Sequence, residues 1–211
     1  MMIFWDARLV LLAPPRTASM ALQNALEPIA DVSMRLPEEL NRISAQRFGQ
    51  GLGSFLSRLA GEDFQLAGLV REPVSWLGSW YGYLCHEAPL DRTGYALPNT
   101  FDEFVMSYIR GYRHPAMDLA PDQTSFMREV SGLPIHLLFA YEEIDVFCNY
   151  LSKRLDYEIE LFRVNASPEV DLTLSARSER LLRQHLAPDF ALHRWALEAR
   201  MARLSRRAEA P

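Results

Sequence analysis

The sequence predicts an α/β fold, with a central parallel sheet covered by helices on both faces. Three observations predict it. The segments Ala7–Ala13, Phe64–Val70 and Leu133–Ala140 are short and mostly apolar, as strands buried on both faces are. Each runs into a segment whose apolar residues recur every three or four positions. Two of these junctions, "PPRTAS" and "VREPVS", combine proline, arginine and hydroxyl residues. In parallel sheets, ligands bind beyond the carboxyl ends of the strands, at a topological switch point. Function is therefore expected at these two junctions.

Taken in order, Ala7–Ala13 is closed as a strand by Pro14 and Pro15. Thr17–Leu26 follows as a helix, with Met20, Ala21, Leu22, Ala25 and Leu26 on its apolar side. Pro28 ends it. Residues 31–62 are less regular: Phe48, Leu52, Phe55, Leu56 and Leu59 keep helical spacing across three glycines. Glycine costs about 1 kcal/mol in a helix interior, so a turn is expected before the regular part. Phe64–Val70 is the second strand. Pro73 suits the first turn of the next helix, where Val74, Leu77, Tyr81 and Leu84 repeat. Residues 86–99 read as a loop and Phe101–Tyr112 as an amphipathic helix. "APDQTSFMREVSG" gives a shorter helix capped by Asp122 or Thr124. After the third strand, "YEEIDVFCNYLSKRL" is helical, and "LFRVNASPEV" is extended or looped. Ser175–Leu186 and Asp189–Arg207 form two amphipathic helices divided by Pro188.

A chain of 211 residues that is 49% hydrophobic suits a single domain, residues 1–211, with a sizeable core. No apolar stretch is long enough for a membrane span. The start, "MMIFWDARLV", lacks the basic-then-apolar pattern of a signal peptide, which makes the cytoplasm the expected location. Cys85 and Cys148 lie in helical segments and read as buried thiols. The five histidines are scattered with no ligand spacing, so no metal is expected. The net charge is −5, yet residues 176–211 carry eight arginines against four acids. That tail reads as a solvated helix face. Nucleic-acid binding does not fit an acidic body without a binding motif. Lys153 is the only lysine, beside 21 arginines.

Two readings of "PPRTAS" stand side by side. In one, Thr17 or Ser19 caps an ordinary helix and Arg16 points into water. In the other, the helix N-terminus, the two hydroxyls and the planar fork of Arg16 hold a phosphate. The second junction favours the latter. Arg71 sits at a strand end, and Ser79 lies eight residues on, two turns along the following helix. Trp76, Trp80 and Tyr81 either pack that helix or stack a base.

Together the two stretches resemble the signatures of sulfotransferases that use 3′-phosphoadenosine 5′-phosphosulfate. That family's first motif usually reads P-K-T-G-T/S-T, and here the stretch is Pro15-Arg16-Thr17-Ala18-Ser19-Met20. The second usually reads V-R-D/E-P with a serine eight residues after the arginine. Here it is Val70-Arg71-Glu72-Pro73 with Ser79, an intact match. "FAYEEIDVFCNYLSKRL", "RVNASP" and "PDQTSFM" are weaker echoes. The resemblance covers residues from about 8 to 195. It implies a three-layer, P-loop NTPase-like fold with a helical C-terminal part. It also implies sulfuryl transfer to a hydroxyl or amine of a small-molecule or carbohydrate acceptor. Under it, Arg16 replaces the lysine that balances charge on the transferring group, and so is the catalytic residue. Thr17, Ala18, Ser19 and Met20 line the 5′ side of the donor, and Arg71 and Ser79 hold its 3′-phosphate.

The sequence departs from that pattern at three places. Arg16 is planar and bulkier than lysine. Ala18 stands where the family has glycine, and the thioether of Met20 stands where it has a hydroxyl. Candidates for a general base are Glu38, Glu39, His86, Glu87 and His114. The departures sustain an alternative: a non-catalytic relative that keeps the 3′-phosphate site. An ATP-dependent kinase is a third reading, without the GxxxxGK[ST] it would need. The loop at 86–99 and the helices around residues 101–130 are expected to shape the acceptor pocket.

Overall fold

The computed structural model describes residues 1–87, 92–133, 135–161 and 170–208, with side chains as far as residue 199. Among the described residues, five strands form one sheet: β1 (Met2–Phe4), β2 (Leu9–Leu11), β3 (Val32–Ser33), β4 (Gln65–Val70) and β5 (Leu137–Ala140). Their order is β3-β1-β2-β4-β5. β2, β4 and β5 run parallel, with Leu9 opposite Gln65 and Val70 opposite Ala140. β1 is antiparallel to both β2 and β3. The expected parallel sheet is therefore corrected to a mixed one. The cause is an N-terminal hairpin. Its reversal uses Arg8 at φ 49°, whose N–H donates to the Trp5 carbonyl at 3.1 Å. Such turns are usually signalled by Asn or Gly, and "WDAR" has neither.

The helices are α1 (Ser19–Leu26), α2 (Glu38–Asn41), α3 (Ala45–Phe48), α4 (Ser54–Ala60), α5 (Pro73–Glu87), α6 (Phe101–Ile109), α7 (Gln123–Met127), α8 (Ile144–Leu155), α9 (Ala176–His185) and α10 (Ala187–Ala208). The glycine-rich stretch Gly49–Gly53 is not a turn ahead of the helix. It is a π-helical segment joining α3 to α4. Pro28 does not end helical structure at once either; a 3₁₀ turn spans Glu27–Ile29. α7 is capped by Asp122, whose carboxylate accepts from the Ser125 N–H at 2.6 Å. Pro188 sits in the first turn of α10, where its missing N–H costs nothing.

Alternating side chains send the strands' apolar groups to two faces. On one face, Met2, Phe4, Leu9, Leu11, Leu69 and Phe139 meet Leu22 and Leu26 of α1 and Phe147 and Leu151 of α8. On the other, Ile3, Val10, Leu12, Leu66, Val70 and Leu138 meet Phe48, Phe126, Met127 and Leu192. Gly68 permits this approach: a Cβ there would lie 2.8 Å from Met127 Cε. A third apolar cluster joins α5, α6 and α9 through Trp76, Leu77, Phe101, Phe104, Val105, Leu182 and Leu186. Among the described residues, no helix is long and apolar enough to cross a membrane.

Candidate functional site

The sheet order sends the chain in opposite directions after β2 and β4. From β2 the chain departs through α1 toward the edge strand β3; from β4 it departs through α5 toward β5 on the opposite side. The loops after β2 and β4 thus diverge at a switch point, where such sheets bind ligands.

The first loop is strained and heavily braced. Arg16 has φ 65°, and Ala18 has φ 57° and ψ 19°, both left-handed and neither a glycine. A side chain in that region costs about 1 kcal/mol or more. Four successive carbonyls are bonded by side chains. Arg42 Nη1 donates to Ala13 O at 2.7 Å, and Thr17 Oγ1 to Pro14 O at 2.9 Å. Trp76 Nε1 donates to Pro15 O at 3.2 Å, and Arg71 Nη1 to Arg16 O at 3.4 Å. Ala18 is the N-cap of α1 and supplies no side-chain cap. The simple capping reading of Thr17 or Ser19 is overturned. Thr17 is buried and turned back to Pro14, while Ser19 Oγ accepts from Arg42 Nη1 at 2.8 Å.

Arg16 is half-buried rather than in water. Its Nε donates to Ser79 Oγ at 3.0 Å, and its guanidinium lies 4.8 Å from the Tyr83 ring centre. Burial, and then the charge of Arg71, pull its pKa down to about 10, so it stays charged at neutral pH. Arg71 donates from Nε to Ser75 Oγ at 2.8 Å and stacks 4.4 Å over the Tyr141 ring. Burial lowers its pKa as well. Arg16, Arg71 and Ser79 are therefore together, but Ser79 is bonded to Arg16 rather than to Arg71. Ala18 stands at the mouth of the loop, and the side chain of Met20 is exposed on the first turn of α1.

The base-stacking option for the aromatic residues does not survive. Trp76, Trp80 and Tyr81 are all buried in the α5–α6 core. Of the base candidates, Glu38 is exposed, with Oε1 3.9 Å from Arg42 Nε. Glu39 is exposed too. His86 and Glu87 face one another at 3.3 Å. His114 Nδ1 accepts from the Ala116 N–H at 3.0 Å and so caps a turn. Residues 163–168, "RVNASP", and part of the 86–99 loop lie outside the described residues. Cys85 and Cys148 are free thiols and half-buried; burial pushes Cys148 up to about 11.

Several residues at this site escaped the sequence reading. Gln123, at the start of α7, grips the Arg71 backbone twice: Oε1 accepts from its N–H at 2.7 Å and Nε2 donates to its carbonyl at 2.7 Å. Gln123 is itself held by Asp189 of α10, whose Oδ1 accepts from the N–H groups of Gln123 at 2.7 Å and Thr124 at 3.2 Å. Burial, with Asp122 nearby, raises Asp189 to about 6. Next door, Glu142 Oε1 accepts from the Glu72 N–H at 2.9 Å, and Oε2 lies 2.9 Å from His193 Nε2. Burial alone would raise Glu142, but these bonds outweigh it and hold its pKa low. The "PDQTSFM" and "AYEE" stretches were the available signals for Gln123 and Glu142. Arg42 had none.

No protein-family model, no curated protein and no solved structure matches the chain. The fold and the site define an α/β protein with a mixed, helix-flanked sheet. At its switch point lies a strained loop lined by arginines.

Proposed function

We propose that the chain is a sulfotransferase-like enzyme that binds 3′-phosphoadenosine 5′-phosphosulfate at this switch point. One observation carries the reading. Arg71 donates to the carbonyl of Arg16, 55 residues away, and Arg16 donates to Ser79, where β2 and β4 end. A small cluster of half-buried cations and a hydroxyl suits a ligand with several phosphate oxygens. In the proposed reaction the acceptor oxygen attacks sulfur, and the bond from sulfur to the 5′-phosphate oxygen breaks. Adenosine 3′,5′-bisphosphate departs, and the acceptor's proton passes to a base or to water. Arg16 offsets charge on the departing phosphate. Most of the catalysis then comes from positioning and charge stabilisation.

The test is release of adenosine 3′,5′-bisphosphate from the sulfate donor across a panel of hydroxyl and amine acceptors. Acceptor-dependent release that Arg16→Ala abolishes is expected. A second reading, a nucleotide binder without transfer chemistry, is favoured by His114, whose Nδ1 accepts from a backbone N–H, and by the pairing of His86 with Glu87. Binding of the bisphosphate with no release on any acceptor would select it.

A further inference from the structure

Arg42 has no part in either sequence motif, yet it holds the first turn of α1. Its side chain is only 14% exposed. Nη1 spends its bonds on two neutral acceptors, Ala13 O and Ser19 Oγ. Nε is buried and has no hydrogen-bond partner among the described residues. The ion pair it approaches is long: Glu38, with an exposed carboxylate, is 3.9 Å away. Its charge also bears on Arg16, which already feels Arg71. Three cations therefore share one half-buried corner. Glu38 offsets Arg42 only at that distance, and three neighbouring cations repel one another. An anion bound between α1 and the "PPRT" loop relieves that repulsion.

We propose that Arg42 is a ligand-binding residue of this site, contacting the 5′-phosphate group of the bound nucleotide. The assignment rests on the function proposed above and extends it. Arg42 supplies, from a distant segment, the donors that Met20 cannot. Because Ser19 Oγ accepts from Arg42, its own hydroxyl hydrogen is left to donate to a ligand. Arg71, at the other junction, serves the 3′ end.

The test is calorimetric titration of the whole chain with adenosine 3′,5′-bisphosphate and with adenosine 3′-monophosphate. Arg42→Met keeps most of the apolar stem and removes the charge; Arg42→Lys restores a charge without the fork. The bisphosphate should bind Arg42→Met about 10- to 100-fold more weakly, with partial recovery in Arg42→Lys. Binding of the 3′-monophosphate should stay unchanged. A variant that merely loosened the loop would weaken both nucleotides alike, and that result overturns the assignment. Undiminished bisphosphate binding in Arg42→Met, at a melting temperature close to that of the unsubstituted protein, overturns it too. If the unsubstituted chain binds neither nucleotide, the proposed function fails and the assignment falls with it.

Discussion

Ala18 shows how a single residue records the demands of its loop. Its left-handed backbone is one that glycine adopts freely and alanine does not. Ala18→Gly should therefore stabilise the protein by about 0.5–1 kcal/mol, relief of strain outweighing the added freedom of the unfolded chain. Chemical denaturation measures this; a loss of stability would show that the methyl group packs usefully. Asp189 makes a pH-dependent prediction. Its folded pKa of about 6 stands above its ordinary 3.8. Its proton therefore favours the folded state, and this contribution is full below pH 3.8 and lost as pH rises through 6. Asp189→Asn keeps an oxygen for the Gln123 and Thr124 N–H groups and removes the titration. The melting temperature of the unsubstituted protein, relative to Asp189→Asn, should fall between pH 4 and 6. A constant difference would place the charge elsewhere. The two junctions were legible because each gathers proline, arginine and hydroxyl residues within a few positions. Arg42 and Gln123 were not, because they reach their partners across 29 and 52 residues by tertiary packing alone.

At the scale of elements, α7 and α10 brace the loop after β4 through the backbone of Arg71. Asp189 fixes Gln123, and Gln123 fixes the backbone of Arg71. Replacing Gln123 with leucine strands a part-buried N–H and carbonyl, at about 1 kcal/mol for each group. The expected result is a clear loss of stability together with weaker nucleotide binding; Gln123→Glu keeps the acceptor and should lose less. Equal binding by all three proteins would separate this clamp from the site. The amphipathic period placed α5, α6, α8, α9 and α10 within a few residues, since each has one long apolar side to bury. It misjudged Gly49–Gly53, where the helical path continues with a π turn through three glycines. The β1–β2 hairpin was also illegible. A three-residue strand carries almost no periodicity, and its left-handed turn residue is an arginine.

At the scale of the whole molecule, the sheet brings the two junctions together. β2 and β4 are neighbours and parallel, so their following loops emerge side by side. The N-terminal hairpin adds β1, antiparallel to β2, with β3 beyond it, on the side of β2 away from β4. The corner between the two loops concentrates positive charge in an acidic protein, a local field suited to a polyanionic nucleotide. The most direct measurement is the melting temperature with and without adenosine 3′,5′-bisphosphate, beside AMP and ATP, for the unsubstituted protein and Arg71→Ala. A ligand at a hundred times its dissociation constant stabilises by about 2.7 kcal/mol. The account predicts a rise of several degrees that is specific to the 3′-phosphorylated nucleotide and absent in Arg71→Ala. No rise at millimolar ligand, or an equal rise with AMP, would contradict it.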